Sequence, residues 1–493
     1  MNLLTGVIVA RQLGPSAFGS FNFLLNSFIS IMTLLDLGTS SAFYTFVSKK
    51  KQSLHFYLYY FIWLGIQFLL VLLFISTVFP ESLRDKIWLG HKKELIILSF
   101  AASFLMSKLW KTIVQAGESI RATVLVQVYS TFLALANLFL VLLLAFFHYL
   151  AIDNLFKIII VLHIFFSVVL THKLRSYLVA KDESKISFWI KEYKIYCLPL
   201  MIYCIVSFAY SFADLWLLQK FGGSVQQGFF SVGSRFSAVC LIATSSILNV
   251  FWKEITEANE RGDKKRMWQL YTKITRGLFF VTALGACFLL PFSKDILTLF
   301  LGQKYAAGSL CLAIMFLFPI HQSLGQINGS YFFASAQTRI YSKIGIAMMM
   351  LGIPMTYFVL ASPSSPIPGF DLGSVGLAVK MVFTQMIGVN IIAYFICKLT
   401  GGKFAFLFQL ESIILLLFAS FLCKMFFTFI FHVFGRVAHP VLLMILCGPV
   451  YVSISMGILY LYPSLGGLSK AELRNLIRIM PNYLAKIRSN KVG

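Results

Sequence analysis

Seven basic residues of this chain lie inside long apolar runs: Lys108, Lys111, Lys157, Arg235, Lys294, Lys380 and Lys424. Two acids, Asp36 and Asp214, lie comparably deep. An ionised group at membrane depth costs roughly 3 kcal/mol on insertion scales, so such groups face a cavity or a partner. Lys111, Lys157 and Lys294 stand near run ends and can snorkel to headgroups. Lys424 reads as structural. Arg235 lies seven residues into its run, near the level of Asp214. It reads either as half of an ion pair or as a cavity-facing guanidinium, which binds an anionic group in a planar, bidentate way. Arg11 stands at a comparable level, and Lys380 and Lys108 are weaker candidates for the same anion. Asp36 and Asp214 suit a coupling proton or sodium ion; Asp36, beside Gly38, also suits the cap of a helix break. The majority of bases over acids favours an anionic substrate.

Other chemistries find no support. The eight cysteines are scattered without a CxxC, and the eight histidines lack ligand spacing, so neither disulfides nor a metal site are expected. No cofactor is expected beyond a proton or sodium gradient. The net charge of +24 is spread along short loops rather than gathered on one domain, which argues against a nucleic-acid partner.

The elements that must position these residues are membrane helices. Hydrophobic residues make up 59% of the chain and charged ones 12%, half the share a soluble surface needs. Apolar segments recur near 1–10, 18–47, 56–79, 94–114, 122–147, 154–172, 195–218, 228–252, 277–301, 308–333, 344–360, 374–397, 404–431 and 439–462. They lack strict alternation, so fourteen transmembrane helices are expected rather than a barrel. Alternate loops carry 27 and 8 basic residues, which places both termini in the cytoplasm. The longest outward loops, 80–93 and 361–373, are 14 and 13 residues, too short for a catalytic domain; the protein is not expected to be an enzyme.

Smaller features complete the plan. The charged loop 253–276 reads as one amphipathic helix at the membrane surface. In the tail, Ser469 and Glu472 form a capping-box pattern ahead of Leu473, Leu476, Ile477 and Met480, with Arg474 and Arg478 beside them and a kink expected at Pro481. Pro199, Pro291, Pro319 and Pro354 are expected to kink their helices, and Gly325 with Gly329 permits close packing.

Leu13-Gly-Pro-Ser-Ala-Phe-Gly19 resembles Phe221-Gly-Gly-Ser-Val-Gln-Gln-Gly228. Pairing Gly14 with Gly222 and Gly19 with Gly228, at the cost of one insertion, suggests two parallel six-helix halves. The expected organisation is a lobe over 1–172, a cytoplasmic linker at 173–194, a second lobe over 195–397, added helices in 398–462 and a basic tail at 463–493. The stretch before Gly14 is too short to span a bilayer, so the first helix is expected to be truncated.

Val7-Ile-Val-Ala-Arg-Gln-Leu-Gly-Pro-Ser-Ala-Phe-Gly19 resembles the polysaccharide exporter family of Wzx-type O-antigen flippases, within the multidrug/oligosaccharidyl-lipid/polysaccharide superfamily. Asp36-Leu-Gly-Thr-Ser-Ser-Ala42, Leu198-Pro-Leu200 and Leu299-Phe-Leu-Gly-Gln-Lys-Tyr305 add to the likeness. The resemblance implies a MATE-like, all-α fold with two lobes around a central cavity. It implies an undecaprenyl-pyrophosphate-linked oligosaccharide as substrate, in a bacterial inner membrane. Partners would be membrane lipids, a polysaccharide polymerase and a chain-length regulator. The rival readings are a drug or cation exporter of the same fold and a non-transporting scaffold for polysaccharide assembly.

Overall fold

The computed structural model describes residues 3–49, 52–180, 186–335, 337–435, 439–472 and 474, with backbone alone for 176–180, 186–188, 242–247 and 249–250. The architecture is all-helical. Among the described residues the one strand pairing is a two-residue parallel bridge between Gln52–Ser53 and Val179–Ala180.

Among the described residues, twelve helical runs are long and apolar enough to cross a membrane. Two of them hold a pair of expected segments each. Trp189–Leu241 has 53 residues, about 80 Å of helix at 1.5 Å per residue, against a hydrocarbon core of about 30 Å. The run breaks at Gly223 (φ 70, ψ −177). Leu3–Asp36 breaks in the same way at Gly14 (φ 74, ψ 173). Only glycine adopts this backbone region at low cost. Read at those breaks, the runs give the fourteen expected segments of a multi-pass membrane protein.

The matching breaks correct the register of the repeat. Gly14 corresponds to Gly223, not Gly222, and no insertion is needed, because Gly19 and Gly228 then stand at the same 209-residue offset. The packing confirms it. A Cβ on Gly19 would lie 1.7 Å from the carbonyl oxygen of Ser224, and one on Gly228 would lie 2.2 Å from that of Pro15. Pro15 and Ser224 share the 209-residue offset. Each copy therefore presses a bare backbone against the equivalent carbonyl of the other, a local two-fold relation. Ser20 Oγ donates to Ser224 Oγ across the contact at 2.9 Å.

By internal contacts the chain forms two compact units: Met1–Ser231 with Phe300–Tyr305 and Met349–Leu377, and Val232–Leu299 with Ala306–Met348 and Ala378–Gly493. In the first, Leu3–Asp36 packs on Ile186–Leu217 and on Lys93–Phe104, burying Phe18, Phe21, Phe28 and Phe100. In the second, Lys264–Leu289 packs against Phe318–Ala334, Leu407–Val433 and Ser245–Glu260. Its core joins Phe251, Ile255, Met267, Tyr271, Tyr331 and Ile396.

The single surface helix expected over 253–276 is two helices. Ser245–Glu260 runs on from the membrane segment, Gly262 (φ 66) turns the chain, and Asp263 caps Lys264–Leu289 by accepting from Arg266 N at 2.8 Å. Ile255, Ala258 and Met267 are buried in the unit's core instead of facing lipid headgroups. Gly-Asp is a turn-and-cap signal that outweighed the amphipathic pattern.

The capping box at the tail forms: Ser469 N–H donates to Glu472 Oε2 (2.9 Å) and Glu472 N–H to Ser469 Oγ (3.2 Å). Lys273 holds the same carboxylate at 2.5 Å. Leu473, Leu476, Ile477, Met480, Arg478 and Pro481 lie outside the described residues. Pro199 and Pro354 sit inside helices, while Pro291 and Pro319 stand in the first turns of new ones.

Candidate functional site

In the first unit the structure joins two residues that the sequence offered separately. Asp36 ends the Leu3–Asp36 helix; Leu37 (φ 43) and Gly38 (φ 90) turn the chain before Thr39–Lys49 begins. Asp36 Oδ1 caps the new helix, accepting from Ser40 N at 3.2 Å, Ser40 Oγ at 2.5 Å and Thr39 Oγ1 at 3.2 Å. The same oxygen accepts from Lys108 Nζ. Lys108 sits in a π-helical turn, Leu105–Trp110, which offsets its helix register. Both side chains are largely buried, 6% exposed for Lys108 and 17% for Asp36. Asp36 thus caps the helix break and at the same time pairs with a buried ammonium.

Tyr60 neighbours Asp36 and belongs to a cluster of aromatic rings. Phe43 stacks on Tyr60 at 4.3 Å, and Phe56 meets Trp189 edge-on at 4.7 Å. A groove of about 450 Å³ opens beside them, lined by Thr39, Tyr60, Trp63, Trp189 and Tyr193. Asp214, 8% exposed, accepts from Thr356 Oγ1 at 2.5 Å. Arg11 is exposed and lines a different groove, with Gln12, Phe139, Leu142 and Phe146.

In the second unit Lys380 is 1% exposed within Gly373–Thr400, and Arg235 is half-buried within Gly223–Ser237. Lys424 is a clamp: its ammonium binds Pro291 O and Asp295 Oδ2, each at 2.7 Å, and lies 4.6 Å from the Phe292 ring centre. This pins Leu407–Val433 to the start of Ser293–Leu301.

The same unit also carries a ladder of neutral polar groups, which the charged residues do not signal. Gln385 donates to Gln322 Oε1 (2.6 Å), Tyr271 to Asn328 Oδ1 (2.8 Å), Asn328 to Val389 O (2.8 Å) and Gln409 to Asn390 Oδ1 (2.7 Å). Such bonds join helices inside a bilayer. Their signal in the sequence was a run of amides in segments otherwise apolar, at 322, 326, 328, 385, 390 and 409. The helices run close at Gly325, where a Cβ would lie 2.9 Å from Gln385 Nε2 and 3.3 Å from Val389 Cγ1.

Neither family models nor curated proteins match the sequence. Solved structures do match the fold. The lipid II flippase MurJ, in an inward closed conformation, has a TM-score of 0.64 at 13% identity over 92% of this chain and 96% of its own. An inward-facing multidrug resistance MATE family transporter of the MOP superfamily has 0.63 at 14%, over 81% and 93%. A MOP superfamily transporter from Pyrococcus furiosus, described by a reverse polarity of its binding pocket, has 0.54 at 15%, over 81% and 91%. The chain is thus an all-helical, multi-pass membrane protein with the fold those structures share.

Proposed function

We propose that the protein is a flippase for undecaprenyl-pyrophosphate-linked oligosaccharides, serving O-antigen, capsule or exopolysaccharide synthesis at a bacterial inner membrane by alternating access between two six-helix lobes. The observation that carries this reading is the extent of the fold match. MurJ aligns over about a tenth more of the chain than the MATE structures do. The helices Leu407–Val433 and Pro440–Leu461 are a stretch of that size.

The buried charges support an anionic substrate. Lys380 and Arg235 are the bases proposed to meet the pyrophosphate. In the first unit Lys108 is a further proposed anion contact, freed when Asp36 takes up a proton, which would couple substrate binding to a proton gradient. Asp214 is the second proposed proton site and Arg11 an accessory contact at the entrance. The amide ladder is of a kind that hydrogen-bonds sugar hydroxyls. The drug-exporter reading needs a carboxylate available to a cation, whereas Asp36 is neutralised by Lys108.

The test is leaflet exchange of a labelled undecaprenyl-pyrophosphate oligosaccharide in proteoliposomes, read with an impermeant sugar-binding reagent. Hydrogen bonds to charged groups contribute about 1.5–3 kcal/mol, so Arg235→Gln and Lys380→Gln should each slow exchange by about tenfold or more. Rapid movement of a cationic dye with no lipid exchange under proton or sodium gradients would move the assignment to the drug-exporter branch.

A further inference from the structure

A cleft of about 270 Å³ lies in the second unit, mostly apolar but with a cationic and hydroxyl-bearing patch. Arg276, Lys403, Thr272, Thr275, Trp268 and Gln409 line it. Its donors are mostly uncommitted. Arg276 uses one guanidinium nitrogen, Nη1, on Ser464 O (2.9 Å) and lies 5.0 Å from the Phe408 ring centre. A guanidinium carries five N–H donors, so several remain. Among the described residues Lys403 has no carboxylate partner.

The hydroxyl oxygens of Thr272 and Thr275 are buried without a hydrogen bond of ordinary geometry, that of Thr275 lying near the Tyr271 hydroxyl, and Thr275 is 7% exposed. The neighbouring Tyr271 hydroxyl is committed to Asn328. A buried hydroxyl left unpaired costs about 1–3 kcal/mol, so an occupant that bonds it is favoured. Glu411, whose charge acts on Arg276, is the acid near the cleft.

The loop that supplies Lys403 is laid down by two glycines. Gly401 takes φ 75, and a Cβ on Gly402 would stand 2.4 Å from the Trp268 ring, so only a bare backbone lies this close. The cleft shares Phe404 with an apolar groove of about 400 Å³ lined by Met386, Ile387, Ile391, Tyr394 and Phe406. A cationic, hydroxyl-rich pocket thus adjoins an oily channel.

We propose that this pair of cavities is a site for an anionic phospholipid, its phosphodiester held by Arg276, Lys403, Thr272 and Thr275 and an acyl chain lying along the groove past Phe404. Basic pockets between membrane helices on the cytoplasmic side suit such headgroups. A tetrahedral phosphate matches donors converging from a guanidinium, an ammonium and two hydroxyls better than a planar carboxylate does. Occupancy would tie the 401–406 loop to the Lys264–Leu289 helix.

The experiment is native mass spectrometry and thermal unfolding of the purified full chain with phosphatidylglycerol, phosphatidylcholine or inorganic phosphate. Wild type should retain phosphatidylglycerol in preference to phosphatidylcholine. Lys403→Gln, on an exposed loop where folding is not at stake, should weaken that retention by about tenfold. Thr275→Val, which keeps the shape and removes the hydroxyl, should weaken it several-fold. Equal retention of the two lipids, or retention unchanged in both variants, overturns the site. A thermal shift with inorganic phosphate as large as that with phosphatidylglycerol, and with the same dependence on Lys403, overturns the lipid assignment in favour of a soluble phosphate.

Discussion

Removing one partner of the Asp36–Lys108 pair should be far more damaging than removing both charges. Breaking a buried ion pair costs about 3–5 kcal/mol, because the survivor is left uncompensated in a low-dielectric site. The two single variants should sit at different ends of that range. After Lys108→Met, Asp36 still accepts from Ser40 N, Ser40 Oγ and Thr39 Oγ1, so the loss should be about 3 kcal/mol. After Asp36→Asn, Lys108 keeps its 6% exposure without its carboxylate, and the loss should approach about 5 kcal/mol. The double variant removes both charges. It should be destabilised by clearly less than the sum, with a coupling of about 2–3 kcal/mol. Reversible unfolding of the purified protein in mixed micelles, run as a double-mutant cycle, measures all four corners. Single losses below about 1 kcal/mol, the range of exposed pairs, or a strictly additive double variant would refute the argument that this pair is buried and mutually dependent.

Three further outcomes are expected. Gly19→Ala should abolish the folded state or cost more than about 3 kcal/mol, the upper range for overpacking, since its Cβ would lie 1.7 Å from Ser224 O; folded yield by size-exclusion fluorescence reports it. Glu472 titrates at about 2, lowered first by its hydrogen bond with Lys273 and then by Ser469. A depressed carboxylate contributes its stabilisation above its ordinary value near 4.5 and loses it as pH falls toward 2. Protease cleavage of the tail should therefore stay constant from pH 7 to 5 and rise only in stronger acid. Lys424→Met should loosen Leu407–Val433 from Asp295 while leaving the rest of the unit folded, which hydrogen exchange in that helix would register.

The membrane segments were legible because about twenty apolar residues in a row have few places to be other than a bilayer. The glycine motif was legible as a repeat, but its register was not. Gly222 and Gly223 are the same letter, and only the backbone angle tells which one turns. The reversal at Gly262 was missed because a charged stretch with helical periodicity reads equally as one helix or as two. Asp36 and Lys108 were both picked out as buried charges, one for ion coupling and one for anion binding. Their meeting depends on the break at Leu37–Gly38 and on the π turn of Leu105–Trp110. Neither alters the composition of the segment, so the pair left no mark that a reading of residue types could find. Arg11 drew attention through its motif and proved to lie on an exposed groove.

The contact of Gly19 with Ser224 and of Gly228 with Pro15 is made by main-chain atoms from both sides. Side-chain identity around it can therefore drift without disturbing the joint, provided the two glycines stay bare. The joint therefore asks of the sequence only a pair of such glycines, separated by the length of one repeat and each preceded by a turn glycine five residues earlier. It offers a way to register the two halves of distant chains of this architecture when ordinary alignment has lost them.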